Sequence, residues 1–173
     1  SLVLTHNHND HMDKKTILSL AAQTKAYIVT KRKKKHLTGW NIEASKISSL
    51  DWWQSKIMTP AIRFTGMPAR HFSGRGLKRG GSLWTAYLLE LFGYSIFIGG
   101  DSGYGDHFSS IGKQAEKIDL AILECGQYNE AWPYIHMQPE EVVQAHLDLG
   151  AKTLLPVHWG KFALAYHHWN EPI

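Results

Sequence analysis

The sequence predicts a mixed α and β fold in which layered sheets are covered by outer helices. Strand-type and helix-type segments alternate along its 173 residues, and no internal repeat or linker interrupts them. Apolar residues make up 43% of the chain, enough to bury one core of ordinary size. This length suits a single domain, so we expect residues 1–173 to fold as one unit.

The beginning of the chain predicts a strand, a polar loop, a helix and a second strand. Leu2 to Thr5 is a short β-type run that ends in a loop rich in His and Asp. Asp13 can cap a helix over Lys14 to Gln23, whose apolar residues fall on one face. Tyr27 to Thr30 then follows as the second strand.

The remainder of the chain continues this alternation. Pro139 fits the first turn of a helix that runs to Leu149, and Gly150 provides its stop. Another helix is expected over Phe108 to Lys117, and a hairpin is expected around Phe92-Gly93. The other predicted segments are strands over Ile57 to Thr65, Ser82 to Leu89, Tyr94 to Ile98, Leu120 to Leu123 and Thr153 to Val157, and a Gly- and Arg-rich loop over Ser73 to Gly81.

The charge distribution favours anionic partners only weakly. The formal net charge is +4, and five basic residues run together from Lys31 to Lys35. This run is either a solvated helix start or loop, or a means of attracting phosphate or an anionic membrane surface. No basic face interleaved with aromatic residues accompanies it, so no nucleic-acid partner is expected.

Cysteine usage and hydropathy set further limits. Cys125 is the one cysteine, which excludes a disulfide within the chain and a zinc site built on thiolates. No apolar window is long enough to predict a transmembrane helix, and no signal peptide is recognisable. Because the chain opens on a strand under way and stops without a terminal signal, we expect a fragment that lacks N-terminal strands and the C-terminal end. The expected location is the cytoplasm, with membrane association as the alternative, and the oligomeric state is open, a homodimer included.

The strongest functional signal is the segment His6-Asn7-His8-Asn9-Asp10-His11. It places three imidazoles and one carboxylate within six residues, and loops rarely gather three histidines by chance. In an extended stretch His6, His8 and Asp10 share one side, and a turn swings His11 towards a neighbouring point. One loop can therefore serve two adjacent metal ions. The nitrogen and oxygen ligands suit Zn²⁺, with Mn²⁺ or Fe²⁺ as alternatives.

More ligands must come from other strand ends, and three candidates each follow a predicted strand. These are His71, Asp101 and His158. Gly100 lets the backbone bend before Asp101, and the two carboxylate oxygens of Asp101 can bridge two cations. We therefore name Asp101 and Asp10 as the catalytic carboxylates, since Asp10 could also accept a proton from the nucleophile.

At this point the sequence resembles the metallo-β-lactamase superfamily, in particular the branch of phospholipases D that hydrolyse N-acyl-phosphatidylethanolamine. The motifs that carry the resemblance span nearly the whole chain. They are Thr5 to Asp13, Leu50 to Trp53, Pro68 to His71, Gly100 to Tyr104, Pro139 to Glu141 and His158 to Leu164.

The resemblance implies a four-layer αββα sandwich, of the α/β class or α+β in some schemes. It assigns His6, His8 and His71 to one metal and Asp10, His11 and His158 to the other, with Asp101 bridging them. It also implies three substrate contacts, at His136, His146 and Asn9. Asn9 stands where the mammalian member of the branch has Tyr. The other histidines, His36, His107, His167 and His168, have no motif support.

These observations predict a hydrolase with two divalent metal ions, in which a metal-activated hydroxide attacks a phosphodiester. The expected substrate is an N-acyl phospholipid or a related lipid, since Trp residues near the predicted loops favour a partly apolar substrate. The alternatives are a lactonase or other ester hydrolase acting on a small phosphorylated ester, such as the ascorbate-phosphate lactonases, and a nuclease of the same superfamily. A further alternative, of a different class, is a non-catalytic metal- or lipid-binding module.

Overall fold

Two β-sheets lie face to face, and helices cover the outer face of each. The computed structural model describes residues 1–75, 78–79, 82–161 and 165–172. The smaller sheet is parallel and has the order β1-β2-β3. Its elements, in chain order, are β1 (Leu2–Leu4), α1 (Lys14–Ser19), β2 (Tyr27–Thr30), α2 (Lys34–Thr38), a 3₁₀ turn (Ala44–Lys46) and β3 (Ile47–Leu50).

The second sheet has six strands and mixed directions. Its elements, with a two-stranded ribbon formed by β6 and β7, are β4 (Ser55–Thr59), β5 (Ile62–Met67), β6 (Gly74–Arg75), β7 (Lys78–Arg79), β8 (Ala86–Leu91), β9 (Tyr94–Ile98), α3 (His107–Gln114), β10 (Ile118–Glu124), α4 (Pro139–Leu149) and β11 (Ala151–Val157). The strand order is β11-β10-β9-β8-β5-β4. β11, β10 and β9 run parallel, whereas β8, β5 and β4 pair antiparallel to their neighbours.

The alternation of side chains along the strands defines the layers. Ile28 of β2 packs with Phe64 and Tyr87 of the larger sheet, so these side chains lie between the two sheets. Its neighbours Tyr27 and Val29 point the other way and pack with residues of α1 and α2. A third core lies between the larger sheet and helices α3 and α4. The result is an αββα sandwich, which confirms the fold expected from the resemblance.

The strand directions bring four chain segments to one edge of the larger sheet. β5, β9, β10 and β11 all run in the same direction, because β8 is antiparallel to both β5 and β9. Their carboxyl ends therefore meet at one edge. At that edge the Thr85 N–H donates to the Thr5 carbonyl at 3.0 Å, and the hydroxyls of Thr30 and Thr85 lie 2.7 Å apart. The first bond holds the loop after β1, and the second holds the end of β2, against the same edge.

The helices begin and end for local reasons that the sequence shows. Asp13 caps α1, since its carboxylate accepts from the Thr16 N–H at 2.7 Å. Pro139 occupies the first turn of α4, and Gly150 ends that helix in the left-handed region with φ of 61°. Both caps were expected. Within the described residues, no helix has the length and apolar character needed to cross a membrane.

Several element predictions need correction. The run from Ile57 to Thr65 is not one strand but the hairpin β4–β5, because Pro60-Ala61 forms its turn. α1 ends at Ser19 and gives way to turns before Gln23. β3 was not predicted, and α2 was anticipated only as a helix start within the basic run. The Gly- and Arg-rich loop contains the ribbon β6–β7, while its residues 76–77 and 80–81 lie outside the described residues, as do residues 162–164 of the last motif.

The basic run from Lys31 to Lys35 is not a uniformly solvated segment. α2 begins within it, and Lys33 is only 2% exposed. Lys31 forms an ion pair with Asp51. An anionic surface would therefore meet mainly Arg32, Lys34 and Lys35, and the prediction of such a surface stays a prediction.

Candidate metal centre

The predicted ligands meet at the edge of the sheet where the parallel strand ends converge. They fall into two groups whose ligand atoms lie within 4.8 Å of one another. The buried group consists of His6, His8 and His71, and the rim group consists of Asp10, His11 and His158. Asp101 belongs with the buried group and also touches the rim group. The structure thus brings all seven residues together, and their role as ligands stays a prediction.

In the buried group, three imidazole nitrogens converge on one point. His8 Nδ1 lies 2.9 Å from His6 Nε2 and 3.2 Å from His71 Nε2. His71 Nδ1 donates to the Ile135 carbonyl at 2.9 Å. A neutral imidazole carries one N–H, so this bond leaves a bare lone pair on His71 Nε2 that is directed at the other two rings. A cation at this point would be within reach of nitrogen atoms from all three rings.

The rim group has a similar spacing but includes a carboxylate. His11 Nε2 lies 3.1 Å from His158 Nε2 and 3.3 Å from Asp10 Oδ2. The distance from His158 Nε2 to Asp10 Oδ2 is 3.4 Å. Four ligands at about 2.0 to 2.1 Å from a zinc ion lie about 3.3 Å apart at the corners of a tetrahedron. The ligand atoms in both groups therefore lie at distances from one another close to those in tetrahedral zinc coordination.

Asp101 lies between the two groups and is only 5% exposed. Its Oδ2 is 3.2 Å from His11 Nε2 and 3.7 Å from His6 Nε2, while its Oδ1 is 3.7 Å from His158 Nδ1. Oδ1 is buried and forms no hydrogen bond within the described residues. A buried carboxylate oxygen without a donor needs a positive charge, so Asp101 fits a bridging ligand.

Burial controls the protonation of the first group. It lowers the pKa of His6 well below its usual value, lowers that of His71 to about 4, and also lowers that of His8. These histidines are therefore neutral near pH 7, which is the form that binds metal ions.

Carboxylates control the second group. Burial opposes protonation of His11, but its hydrogen bonds to Asp10 and Asp101 outweigh burial and raise its pKa to about 10. For His158 burial is also outweighed, chiefly by the hydrogen bond to Asp10, and the pKa is raised. In return, the contacts with His11 and His158 hold the pKa of Asp10 well below its usual range. Burial by itself would raise the pKa of Asp101, but the hydrogen bond with His11 outweighs burial and lowers that pKa.

Backbone packing fixes the loop that carries His158. The residue has φ of 68°, in the left-handed region that non-glycine residues rarely adopt. Gly126 lies directly beneath it, and a Cβ at Gly126 would come within 2.1 Å of the His158 carbonyl oxygen. Only glycine lets the two loops approach so closely.

The structure places the three residues predicted to bind substrate in different surroundings. His136 lies at the centre, with its ring stacked on that of His158 at 6.1 Å and set edge-on to that of His71 at 5.3 Å. Asn9 is exposed in the turn between His8 and Asp10. His146 lies on α4, which packs on α3, β10 and β11, and none of the described contacts joins it to the ligand groups. The roles of all three in substrate binding stay predictions.

Sequence reasoning missed Glu124, the last residue of β10. Its side chain is 1% exposed, and its Oε1 lies 3.1 Å from His136 Nδ1. Burial raises the pKa of this carboxyl group. The signal was available, because Glu124 follows a predicted strand just as Asp101 and His158 do.

One aromatic residue at the centre, Phe72, was not singled out from the sequence. Phe72 packs on the rings of His8 at 4.5 Å and His71 at 4.9 Å. Trp53 instead lies beside a groove on the outer face of the larger sheet, and Trp52 donates to the Trp84 carbonyl. The tryptophans at the Leu50 to Trp53 motif therefore do not line the metal centre.

Comparisons with known proteins agree with this geometry. The sequence pattern of the family described as the beta-lactamase superfamily domain matches residues 1–159. The chain is 41% identical over its whole length to an uncharacterised protein of Mycobacterium tuberculosis and covers 47% of that protein. It is 34% identical, over 99% of its length, to the mitochondrial N-acyl-phosphatidylethanolamine-hydrolysing phospholipase D of Saccharomyces cerevisiae, of which it covers 38%. The chain thus spans about half or less of these relatives.

A solved structure shows the same fold. A metallo hydrolase of the hyperthermophilic archaeon Ignicoccus hospitalis superposes with a TM-score of 0.78 at 18% identity, over 98% of this chain and 68% of that one. The likeness covers both sheets and both helical layers, since nearly the whole chain is matched.

Proposed function

This chain belongs to the metallo-β-lactamase superfamily, and on that premise we propose that it carries the two-metal centre of a phosphodiesterase of the phospholipase D type. The substrate class is an N-acyl phospholipid or a closely related lipid. Hydrolysis adds water across the phosphodiester bond on the headgroup side and gives phosphatidic acid and an N-acylethanolamine.

The observation that carries the proposal is the convergence of seven nitrogen and oxygen ligands at one sheet edge. One tetrahedral zinc ion cannot use seven ligands, whereas two cations that share Asp101 can. Bound divalent cations supply a nucleophilic hydroxide at neutral pH and neutralise charge on phosphate oxygens. Zn²⁺ is the ion that this donor set favours, with Mn²⁺ and Fe²⁺ as alternatives.

The side chains around the centre have separate tasks in this proposal. The buried histidines hold a cation through nitrogen lone pairs. The hydrogen bonds of His71 with the Ile135 carbonyl and of His6 with the Thr5 hydroxyl orient these rings. Asp10, at the solvent-exposed rim, accepts the proton that the attacking water loses. His136, over the rings of His158 and His71, contacts the phosphate region of the substrate.

Likeness to the yeast phospholipase D supports the lipid substrate, since it extends over 99% of the chain and so spans the positions of all seven predicted ligands. The exposed aromatic side chains Tyr134 and Trp159 lie in the same loops as His136 and His158, and they suit an apolar acyl chain.

A substrate panel under defined metal loading tests the proposal. Zinc-loaded protein should release phosphatidic acid from N-acyl-phosphatidylethanolamine vesicles and should leave a phosphorylated lactone intact. Metal analysis should give about two equivalents per chain. Asp101→Ala, which lacks the shared ligand, serves as the inactive control. Hydrolysis of the lactone but not of the lipid would show that the substrate is a small phosphorylated ester. Binding of vesicles without turnover would show that the chain is a lipid-binding module.

A further inference from the structure

A buried carboxylate stands behind the predicted substrate-binding histidine. Glu124 is 1% exposed and accepts from the Met137 N–H through Oε1 at 3.0 Å. The same oxygen lies 3.1 Å from His136 Nδ1. Its second oxygen, Oε2, is buried and forms no hydrogen bond within the described residues. Burying a carboxylate this deeply costs stability, so the packing of the core does not account for it.

The contact with Glu124 determines which nitrogen His136 offers to the centre. With Nδ1 directed at the carboxylate, Nε2 is the nitrogen left for a substrate. The His136 side chain is 13% exposed, and its ring is parallel to that of His158 within 10°. The ring is thus held between a carboxylate behind it and two predicted ligands beside it, an arrangement that leaves it little freedom to rotate.

We infer that Glu124 is a positioning residue that fixes the ring and the Nδ1–H tautomer of His136, so that the lone pair of Nε2 faces the substrate as a hydrogen-bond acceptor. The inference rests on the proposed phosphodiesterase function for the identity of the substrate, but not for the contact itself. Carboxylates that accept from the outer nitrogen of a functional histidine fix its ring in this way in metal sites.

Two other roles for Glu124 predict different results. A residue that only supports the loop through the Met137 N–H would affect stability and not the orientation of His136. If His136 were instead a metal ligand, which its proximity to Asp101 and His158 allows, disturbing its orientation would release metal.

The experiment compares Glu124→Met, which keeps the size but removes the acceptor, with Glu124→Gln, whose amide oxygen still accepts. The ¹⁵N resonances of His136 in zinc-loaded protein, assigned by their loss in His136→Ala, report its tautomer without any substrate. We expect the Nδ1–H form in the parent and in Glu124→Gln, and a mixture of tautomers in Glu124→Met. Metal content should stay unchanged in all variants.

Kinetics with bis(p-nitrophenyl) phosphate give the second readout. Glu124→Met should lower kcat/KM by about 10-fold, in the range of outer-shell partners of metal sites. The same change in a His136→Ala background should have less than about a twofold effect, because the two residues act as one unit. Glu124→Gln should recover most of the activity.

The matched control is Glu141→Met. Glu141 Oε2 accepts from the Gln138 N–H at 2.8 Å, one residue beyond Met137, and no described contact joins it to His136. Glu141→Met should show the same loss of stability as Glu124→Met, if there is one, but should keep the parent value of kcat/KM.

An unchanged tautomer in Glu124→Met, equal losses in both backgrounds, failure of Glu124→Gln to rescue, or loss of metal would each overturn the inference. If the protein hydrolyses no phosphodiester, the proposed function fails, while the tautomer still decides the role of Glu124.

Discussion

The buried and rim groups have similar spacing between their candidate ligand atoms but differ in how they are prepared for a cation. His6 and His71 are 1% and 6% exposed, and burial keeps them neutral with lone pairs directed inwards. His11 and His158 are protonated more readily because the carboxylates of Asp10 and Asp101 stabilise the imidazolium form. The buried group is thus preorganised as a metal site. The rim group is held together by ion pairs that a cation has to replace.

This difference predicts an order of occupancy. A metal entering the buried group displaces no proton from its histidines near pH 7, whereas one entering the rim group displaces protons that carboxylates stabilise. We therefore expect the buried group to bind more tightly. The following predictions test whether the two groups are separate and how they are coupled, from the largest expected effect to the smallest.

Asp101→Ala should remove the connection between the groups. It takes a ligand from both, so metal analysis should show loss of both equivalents, and hydrolysis should fall by more than the roughly 100-fold typical of outer-shell changes. Asp106→Ala is the matched control, since Asp106 is exposed and makes no capping hydrogen bond at α3. Two equivalents retained in Asp101→Ala would rule out the shared ligand.

His71→Ala and His158→Ala should separate the groups. Each variant should lose about one equivalent of metal, with at least roughly 10-fold weaker binding at the group that is changed. His71→Ala should also lose turnover while keeping most of its stability. Both variants should be dialysed against increasing chelator concentrations and then analysed for metal. The ion that remains in His158→Ala should need a higher chelator concentration for removal than the ion that remains in His71→Ala. The reverse order would mean that burial does not decide the affinity.

Gly126→Ala should disturb the rim group alone. The added methyl group would come within 2.1 Å of the His158 carbonyl oxygen and 2.6 Å of the Trp159 Cα, so the loop has to shift. Such overpacking costs about 1–3 kcal/mol of unfolding free energy. Thermal melting should show the loss, and metal analysis should show the rim equivalent weakened and the buried one kept. Gly39→Ala, at the end of α2 and with φ of −66°, is the control and should keep both.

His107, which is not a predicted ligand, tests whether burial by itself lowers the pKa of a histidine as it does in the buried group. Burial lowers its pKa to about 4, and it lies behind the centre with Nε2 3.2 Å from Ser102 Oγ. A histidine with a lowered folded-state pKa adds stability that is present above about pH 6.5 and is lost as the pH falls towards 4.

Denaturant unfolding of the parent and His107→Leu measures this effect. The two stability curves should run parallel above pH 6.5, and below it the parent should lose stability relative to His107→Leu by at most about 1.4 kcal/mol per pH unit. Parallel curves down to pH 4 would show that His107 is solvated in the folded protein.

Much of the centre could be predicted from sequence because its ligands follow a simple rule. Each of His71, Asp101 and His158 comes after a strand, and parallel strand ends meet at one edge of a sheet. The same rule applied to the strand before Cys125 would have found Glu124. Local signals also sufficed for α4, where Pro139 and Gly150 mark both ends.

The parts that could not be predicted depend on contacts between distant segments. The Ile135 carbonyl fixes the tautomer of His71 across 64 positions, and no local pattern marks a carbonyl for that task. The aromatic ring that packs on His8 and His71 is Phe72, whereas Trp53 donates its N–H to the Gly66 carbonyl and lies beside the groove on the outer face. Both positions depend on the pairing of distant strands, which no local pattern marks.

The rim group also ties the two halves of the polypeptide to each other. His11 and His158 are separated by 147 positions, yet their nitrogens lie 3.1 Å apart. A cation bound there acts as a reversible cross-link that closes a loop of nearly the whole chain, for which the entropy of closure is about 4 kcal/mol. Folding has to be almost complete before this link can form, so a metal bound there would stabilise the finished sandwich and not its early intermediates.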